Sequence, residues 1–105
     1  MSDAGRGKSI LAADLATNYH DSGTGSPVAL IHGSGPGVSA WTNWKRVMPA
    51  LSDAFRVVAP DMAGFGYTER NPASQYDIKF WVKHLIGILD ALGIDKISIV
   101  GNSFG

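Results

Sequence analysis

The residues with the clearest chemical potential are those at 101–105. They read GNSFG, which fits the pattern G-x-S-x-G, and they follow an apolar run typical of a buried strand. A serine on a sharp strand-to-helix turn exposes its hydroxyl above the sheet, and flanking glycines are needed because a Cβ would clash in so tight a turn. The pattern alone also occurs in plain turns, but its position after a strand favours Ser103 as a nucleophile.

A second glycine-rich stretch supplies candidate donors for the same chemistry. Residues 32–37 read HGSGPG and follow another apolar run. Acyl transfer needs two N–H groups aimed at the developing oxyanion, and we predict the backbone N–H groups of Ser34 and Phe104 for this role. Phosphate binding is the rival interpretation. It is disfavoured because residue 38 is valine where G-x-G-x-x-G requires glycine, and no G-K-[ST] follows.

Strands must carry both glycine-rich stretches. Residues 28–32 and 96–100 are continuous apolar or β-prone runs, as is 55–59, and such runs are typical of strands buried on both faces of a parallel sheet. Residues 9–21 are predicted to form a hairpin or a pair of edge strands. The loop at 61–66 follows Pro60, which closes the third run.

Helices are predicted between these strands. One spans residues 40–54, with a kink or break at Pro49, and one spans 76–92 and stops at Gly93. His84 is expected to be a solvated residue of the second helix, whose apolar face comprises Trp81, Leu85, Ile88 and Leu92. Alternating strands and helices with short links predict the α/β class with a largely parallel sheet.

Composition narrows the class of protein further. The chain has 105 residues, 45% of them apolar, a formal net charge of +0 and no cysteine. These values indicate one small globular domain, no disulfide framework, and neither nucleic acid nor an anionic membrane as the main partner. The first residues lack the apolar core of a signal peptide, and no apolar run approaches the length of a membrane span, so a cytoplasmic location is expected.

Several blocks together resemble the meta-cleavage product hydrolases of the α/β-hydrolase superfamily. The blocks cover nearly the whole chain and read GKSILAA at 7–13, TNYH at 17–20, IHGSGPGVSAWTNW at 31–44, APDM at 59–62, GFGYT at 64–68 and GNSFG at 101–105. The 31–44 block is far more specific than G-x-S-x-G. The sequence is most similar to the 2-hydroxymuconic semialdehyde hydrolase branch, as Ser34 supports. It departs from the family at Asn71, where a proline is common.

The resemblance implies a reaction and a set of site residues. Family members hydrolyse a C–C bond in 2-hydroxy-6-oxo-2,4-dienoates during aromatic-compound degradation, without a metal or organic cofactor. By similarity, Ser103 is the nucleophile, and the oxyanion hole is formed by Ser34 and Phe104. The residues expected to bind the substrate, a small-molecule dienoate, are Gly33, Ser34, Asn43 and Asn102. Tryptophans at 41, 44 and 81 are expected in the core rather than stacked on substrate.

The resemblance also limits what these residues can do alone. In this superfamily the triad follows the order serine, acid, histidine, which excludes His20, His32 and His84 as the usual base. His32 is expected to brace its loop, and Asp61 to hold its own loop through backbone N–H groups. Residues 1–105 are expected to be the N-terminal part of the core domain, inactive alone. The cap domain, the triad acid and the triad histidine are expected elsewhere in a longer parent protein, which can be a homo-oligomer.

The sequence also allows three alternatives: a different enzyme, a ligand receptor and a truncated product. A carboxylesterase or perhydrolase uses the same fold, although the 31–44 block weighs against it. A non-catalytic receptor on a hydrolase scaffold would bind its ligand with little turnover. A truncated product without any function of its own is the third.

Overall fold

The computed structural model describes residues 5–33, 37–70 and 77–102. Five strands form one sheet in the order β1-β2-β4-β3-β5. The strands are β1 Lys8–Ala12, β2 Leu15–Ser22, β3 Pro27–Ile31, β4 Arg56–Pro60 and β5 Ser98–Gly101, and the helices are α1 Ala40–Trp44, α2 Met48–Leu51 and α3 Ile78–Leu92. No helix in these ranges is long and apolar enough to cross a membrane.

The first two strands form the predicted hairpin. Ala12 pairs with Leu15 across a two-residue turn in which Ala13 and Asp14 both have positive φ, at 49° and 65°. Such turns match the twist of antiparallel strands. β2 also runs antiparallel to β4, whereas β3 is parallel to both β4 and β5. The sheet is therefore mixed, with parallel strands at its centre, and the predicted α/β class is confirmed.

The central strands are buried on both faces, as their continuous apolar runs predict. Val28 and Leu30 of β3 pack with Val57 of β4 against α1 and α2. The next residue of β3, Ala29, faces the opposite side, where it packs towards Trp81 of α3. This alternation follows from the two-residue period of a strand, and it gives three layers of helix, sheet and helix.

The predicted break at Pro49 is confirmed. Pro49 lies in the first turn of α2, where its missing N–H leaves no helical hydrogen bond unmade. The helix predicted over residues 40–54 is therefore two short helices. The first begins at a reciprocal cap, in which Thr42 N donates to Ser39 Oγ at 3.3 Å and Ser39 N donates to Thr42 Oγ1 at 2.8 Å.

The third helix has the predicted end at Gly93, whose φ is 71°. Its N-cap is Asp77, whose side chain accepts a hydrogen bond from Phe80 N at 3.0 Å. The predicted first residue, Tyr76, lies outside the described residues. The prediction of a solvated His84 is wrong, since this side chain is 0% exposed. It lies four residues before the buried Ile88 and so shares its face.

The last strand is exposed, although its apolar run is of the type that is buried in a parallel sheet. Ile99 and Val100 of β5 are 53% and 45% exposed. β5 lies at the edge of the sheet, where only β3 pairs with it among the described elements. An edge strand keeps one unpaired side, and this accounts for the exposure.

Candidate active site

Three of the predicted site residues lie within the described structure, namely Gly33, Asn43 and Asn102. Ser34, Ser103 and Phe104 lie outside the described residues. The assignment of Ser103 as nucleophile, and of the oxyanion donors, therefore stays a prediction from sequence.

Sheet topology brings the two glycine-rich stretches to the same edge. β3 and β5 are adjacent and parallel, with Ile31 paired to Gly101. The N–H of Asn102 donates to the carbonyl of Ile31 at 3.0 Å. The carboxyl ends of strands in open α/β sheets are where ligands bind. The residues that directly precede Ser34 and Ser103 in the sequence therefore lie at such an edge.

The side chain of Asn43 joins these two strand ends. Its Oδ1 accepts a hydrogen bond from the buried Gly33 N–H at 2.7 Å and another from Asn102 Nδ2 at 3.2 Å. Asn43 occupies α1, which begins seven residues after Gly33. The structure thus brings together all three of the predicted substrate-binding residues that it describes.

His32 braces the loop that follows β3, as predicted. The ring is fully buried, and its Nε2 accepts the N–H of Met62 at 2.9 Å. The other ring nitrogen, Nδ1, must then carry the proton and donate to the carbonyl of Gly33 at 2.6 Å. Burial lowers the pKa of His32, outweighing the opposing effects of the Gly33 hydrogen bond and the Asp61 charge. A neutral imidazole with both nitrogens engaged is a structural link rather than a general base.

Asp61 holds its loop through backbone N–H groups, which confirms the prediction. One carboxylate oxygen accepts from Ala40 N at 2.8 Å, at the start of α1. The other accepts from Tyr67 N at 2.9 Å and from Asn18 Nδ2 at 2.8 Å. The side chain is fully buried, and these donors compensate for the loss of water. Asp61 thus ties its loop to α1 and to β2.

Sequence reasoning missed the part that Asn18 plays in this network. Asn18 lies in β2 and is only 5% exposed. Besides donating to Asp61, it donates to the carbonyl of Gly5 at 2.9 Å and accepts from Gly7 N at 2.7 Å. A polar amide inside an otherwise buried strand is the signal that could have identified it, because a buried amide must find partners.

Sequence reasoning also missed His84. Ala63 N donates to its Nδ1 at 3.1 Å, so Nε2 carries the proton and donates to Thr17 Oγ1 at 2.8 Å. Thr17 Oγ1 in turn donates to the carbonyl of Leu15 at 3.1 Å. Burial lowers the pKa of His84 to about 4. This chain of hydrogen bonds fastens α3 to the hairpin and to the loop after β4.

The tryptophans belong to the core, as predicted. Trp41 and Trp44 pack against the cluster beneath α1 and α2. Trp81 packs against the opposite cluster and donates its Nε1–H to the carbonyl of Ala63 at 2.9 Å. Within the described ranges, no three histidine or acidic side chains are grouped as a metal site requires.

Comparison with known proteins agrees with this architecture. Two hydrolases each share 58% identity with this chain over 99 residues, which is 94% of its length. They are the 2-hydroxy-6-oxo-2,4-heptadienoate hydrolase of Pseudomonas putida strain F1 and the 2-hydroxymuconate semialdehyde hydrolase of Pseudomonas sp. strain CF600. The chain covers 36% and 35% of their respective lengths. It therefore spans about a third of these relatives.

A solved structure matches just as well. The S103A mutant of the meta-cleavage product hydrolase CumD from Pseudomonas fluorescens IP01, complexed with acetates, superimposes with a TM-score of 0.95 at 61% identity. The match covers 96% of this chain and 37% of that protein. The resemblance to meta-cleavage product hydrolases is thus confirmed. The sequence profile of the α/β-hydrolase fold matches residues 26–105. The chain belongs to the α/β-hydrolase family.

Proposed function

We propose that the parent protein is a serine hydrolase that cleaves a C–C bond in 2-hydroxy-6-oxo-2,4-dienoates during aromatic-compound degradation. The identity of 58% with two hydrolases of this kind, over 94% of the chain, supports the reaction class. The observation that carries the proposal is the contact of Asn43 with Gly33 and Asn102, because it joins the predicted oxyanion loop to the predicted nucleophile turn.

In the proposed mechanism the dienol substrate first ketonises, so that the carbanion formed later delocalises into the 2-oxo acid. Ser103 then attacks the C6 carbonyl, and the N–H groups of Ser34 and Phe104 stabilise the oxyanion. The C5–C6 bond breaks, and its electron pair delocalises from C5 onto the 2-oxo oxygen. That oxygen takes up a proton, the fragment leaves as 2-hydroxypenta-2,4-dienoate, and an acyl-enzyme remains. Water releases the acyl group as a carboxylic acid. Direct attack by an activated water is the alternative route to the same products.

The base in this mechanism is assigned to a part of the parent protein outside these 105 residues. His32 and His84 use both ring nitrogens in hydrogen bonds within the fold. All three histidines precede Ser103 in the sequence, contrary to the triad order of the family. We accordingly propose that residues 1–105 form the N-terminal part of the core domain, and that the cap domain and the rest of the core complete the enzyme.

Asn43 and Asn102 are proposed to bind the carboxylate and 2-oxo end of the dienoate, near Gly33 and Ser34. Within the described structure, Asn43 Oδ1 accepts hydrogen bonds from Gly33 and Asn102. Its Nδ2 takes part in no hydrogen bond between described residues. An amide N–H pair is suited to a carboxylate oxygen. This supports a binding role for the nitrogen end of the side chain.

The preferred substrate is proposed to be 2-hydroxymuconic semialdehyde, whose cleavage releases formate. A second candidate is the 6-methyl ketone, 2-hydroxy-6-oxohepta-2,4-dienoate, which releases acetate. It is favoured by the equal identity, 58%, to a heptadienoate hydrolase. We also propose that the parent protein needs no cofactor, is cytoplasmic and can form a homo-oligomer.

The test is a comparison of substrates with the purified parent protein. The cleavage of each dienoate is monitored by the loss of its visible absorbance. We expect kcat/KM on either dienoate to exceed that on p-nitrophenyl acetate at least 100-fold. The ratio of kcat/KM between the two dienoates shows which C6 substituent the enzyme prefers. A higher kcat/KM on the ester would identify a carboxylesterase instead, and tight dienoate binding without turnover would identify a receptor.

A further inference from the structure

The oxygen of the Asn43 side chain is shared between two segments that come from different strands. The Gly33 N–H can only donate, so the atom it meets at 2.7 Å must be the amide oxygen. The same oxygen accepts from Asn102 Nδ2 at 3.2 Å. Both lone pairs of Oδ1 are therefore used within the protein, and the oxygen end of Asn43 is unavailable to a ligand.

The helix that carries Asn43 is itself firmly held. Its first turn has the reciprocal cap between Ser39 and Thr42. The N–H of the fully buried Ala40 donates to Asp61 Oδ1 at 2.8 Å, which ties the helix to the loop after β4. A side chain on such a support offers a defined point of attachment, because its backbone is restrained independently of the residues it contacts.

The two contacted residues lie immediately before the predicted catalytic groups. Ser34 follows Gly33 in the sequence, and Ser103 and Phe104 follow Asn102. The two predicted oxyanion donors thus belong to separate strand ends, and no short covalent path sets the distance between them. An oxyanion hole works only when its donors are fixed in advance at the position where the charge develops.

We propose that Asn43 Oδ1 is a positioning clamp, which fixes the loop after β3 relative to the turn after β5 and so sets the spacing of the oxyanion hole. The clamp rests on the proposed function of Ser103 as the nucleophile. It is separate from the proposed binding of the substrate carboxylate by Nδ2. One side chain then serves both transition-state stabilisation and substrate recognition, through its two different ends.

A neutral ester separates these two roles, since p-nitrophenyl acetate has no carboxylate to bind. In the parent protein we expect Asn43→Ala to lower kcat on this ester about 10- to 100-fold with little change in KM, because displaced donors lose part of the effect of an oxyanion hole. The dienoate should suffer a larger loss, since both roles are removed. Lys45→Ala is the matched control: Lys45 is exposed at the C-terminal end of the same helix, takes no part in the cap of its first turn, and its truncation should leave kcat unchanged.

A double-mutant cycle on the same ester tests the clamp without depending on one variant. Asn102 is exposed, so Asn102→Ala should fold, and we expect it to lower kcat about 3- to 10-fold. In the Asn43→Ala background the same change should have almost no further effect. If the reductions in kcat of the two single variants multiply in the double variant, the clamp is contradicted. Wild-type ester turnover by Asn43→Ala or by Asn102→Ala would contradict it as well.

Ser103→Ala on the same ester separates this inference from the proposed function. Ester turnover that requires Ser103, combined with no dienoate turnover, would contradict the proposed substrate while the cycle still decides the clamp. If ester turnover persists in Ser103→Ala, both the assignment of Ser103 as the nucleophile and the proposed clamp are contradicted.

Discussion

Two buried histidines, His32 and His84, are each held in one neutral form by hydrogen bonds at both ring nitrogens. In each ring one nitrogen accepts a backbone N–H, from Met62 and Ala63 respectively, and the other nitrogen donates. A proton added to the accepting nitrogen would break that hydrogen bond, because the new ring N–H would point at the backbone N–H. Both rings therefore resist protonation, and acid should weaken the structure around them.

The effect of acid can be predicted for His84. Its pKa is lowered from 6.5 to about 4 because the ring is desolvated. Between these two pH values the unfolded chain takes up a proton that the folded protein does not. The part of the free energy of unfolding that depends on neutral His84 is thus fully present above pH 6.5. It decreases as the pH falls towards 4, by at most about 3 kcal/mol. Urea unfolding of the parent protein at a series of pH values measures this dependence.

His84→Gln is the control for this prediction. A glutamine amide can accept from Ala63 N and donate to Thr17 Oγ1, but it does not titrate. We expect the variant to be less stable at pH 7 and to lose distinctly less stability than the wild type between pH 6.5 and 4. An equal loss in both proteins would show that His84 does not carry the acid sensitivity.

At the scale of elements, the loop after β4 depends on a close approach between Gly66 and Asp61. Gly66 has a φ of 55°, and a Cβ at this position would clash with the Asp61 carboxylate. Gly66→Ala should therefore push the carboxylate away from Tyr67 N and Asn18 Nδ2. We expect a loss of about 3 kcal/mol or more in the free energy of unfolding, measured by urea titration, because a buried carboxylate would lose its donors.

Gly93→Ala offers a matched comparison for that loop. Gly93 ends α3 with a φ of 71°, but a Cβ at this position would meet no other described part of the chain within 4 Å. Only the backbone strain of the left-handed conformation is then added, about 1 to 2 kcal/mol. If Gly66→Ala costs no more than Gly93→Ala, the contact with Asp61 does not constrain the loop.

The elements were predictable wherever the signal was local. The break before α2 followed from Pro49, and the end of α3 from Gly93, because each residue limits its own backbone. His84 was misjudged because residue type was given more weight than helical spacing, which places it on the face of Ile88. The exposure of Ile99 depends on which strands pair with β5, and a single strand's composition does not determine that.

The contacts that build the site were less predictable, because they join distant parts of the chain. Resemblance predicted Asn43 and Asn102 as site residues, but not that Asn102 donates to Asn43 from 59 positions away. Asp61 was predicted to hold its loop, whereas its bond to Asn18 required β2 to pair with β4. Such pairs depend on the order of strands in the sheet, which local patterns leave open.

At the scale of the whole molecule, the 105-residue chain alone is expected to show no serine-dependent hydrolysis. Two of its three histidines are locked by hydrogen bonds, and all three precede Ser103. A serine hydroxyl without a base is a weak nucleophile near neutral pH. Assays of residues 1–105 on the dienoates and on p-nitrophenyl acetate check this, and turnover that Ser103→Ala abolishes would contradict it.

The isolated chain is also expected to aggregate through β5. Ile99 is 53% exposed on this edge strand and lines an apolar groove of about 120 Å³ with Val82 and Trp81 of α3. Exposed apolar edges pair with other chains, and a lysine on the edge opposes such pairing. Ile99→Lys should therefore raise the monomeric fraction in size-exclusion chromatography severalfold.

Ile86→Lys controls for charge alone. Ile86 is 52% exposed on α3 rather than on an edge strand, and the substitution adds the same charge while leaving β5 unchanged. We expect it to raise the monomeric fraction much less than Ile99→Lys does. Equal gains from the two variants would indicate a general effect of charge on solubility and would contradict aggregation through β5.

The most direct test of the proposed function is the turnover of 2-hydroxymuconic semialdehyde by the parent protein and by its Ser103→Ala variant. Removal of the nucleophile should lower kcat at least about 1000-fold, while circular dichroism and the thermal midpoint stay close to those of the wild type. A folded Ser103→Ala variant that cleaves the dienoate at a rate near that of the wild type would contradict the assignment of Ser103 and the mechanism built on it.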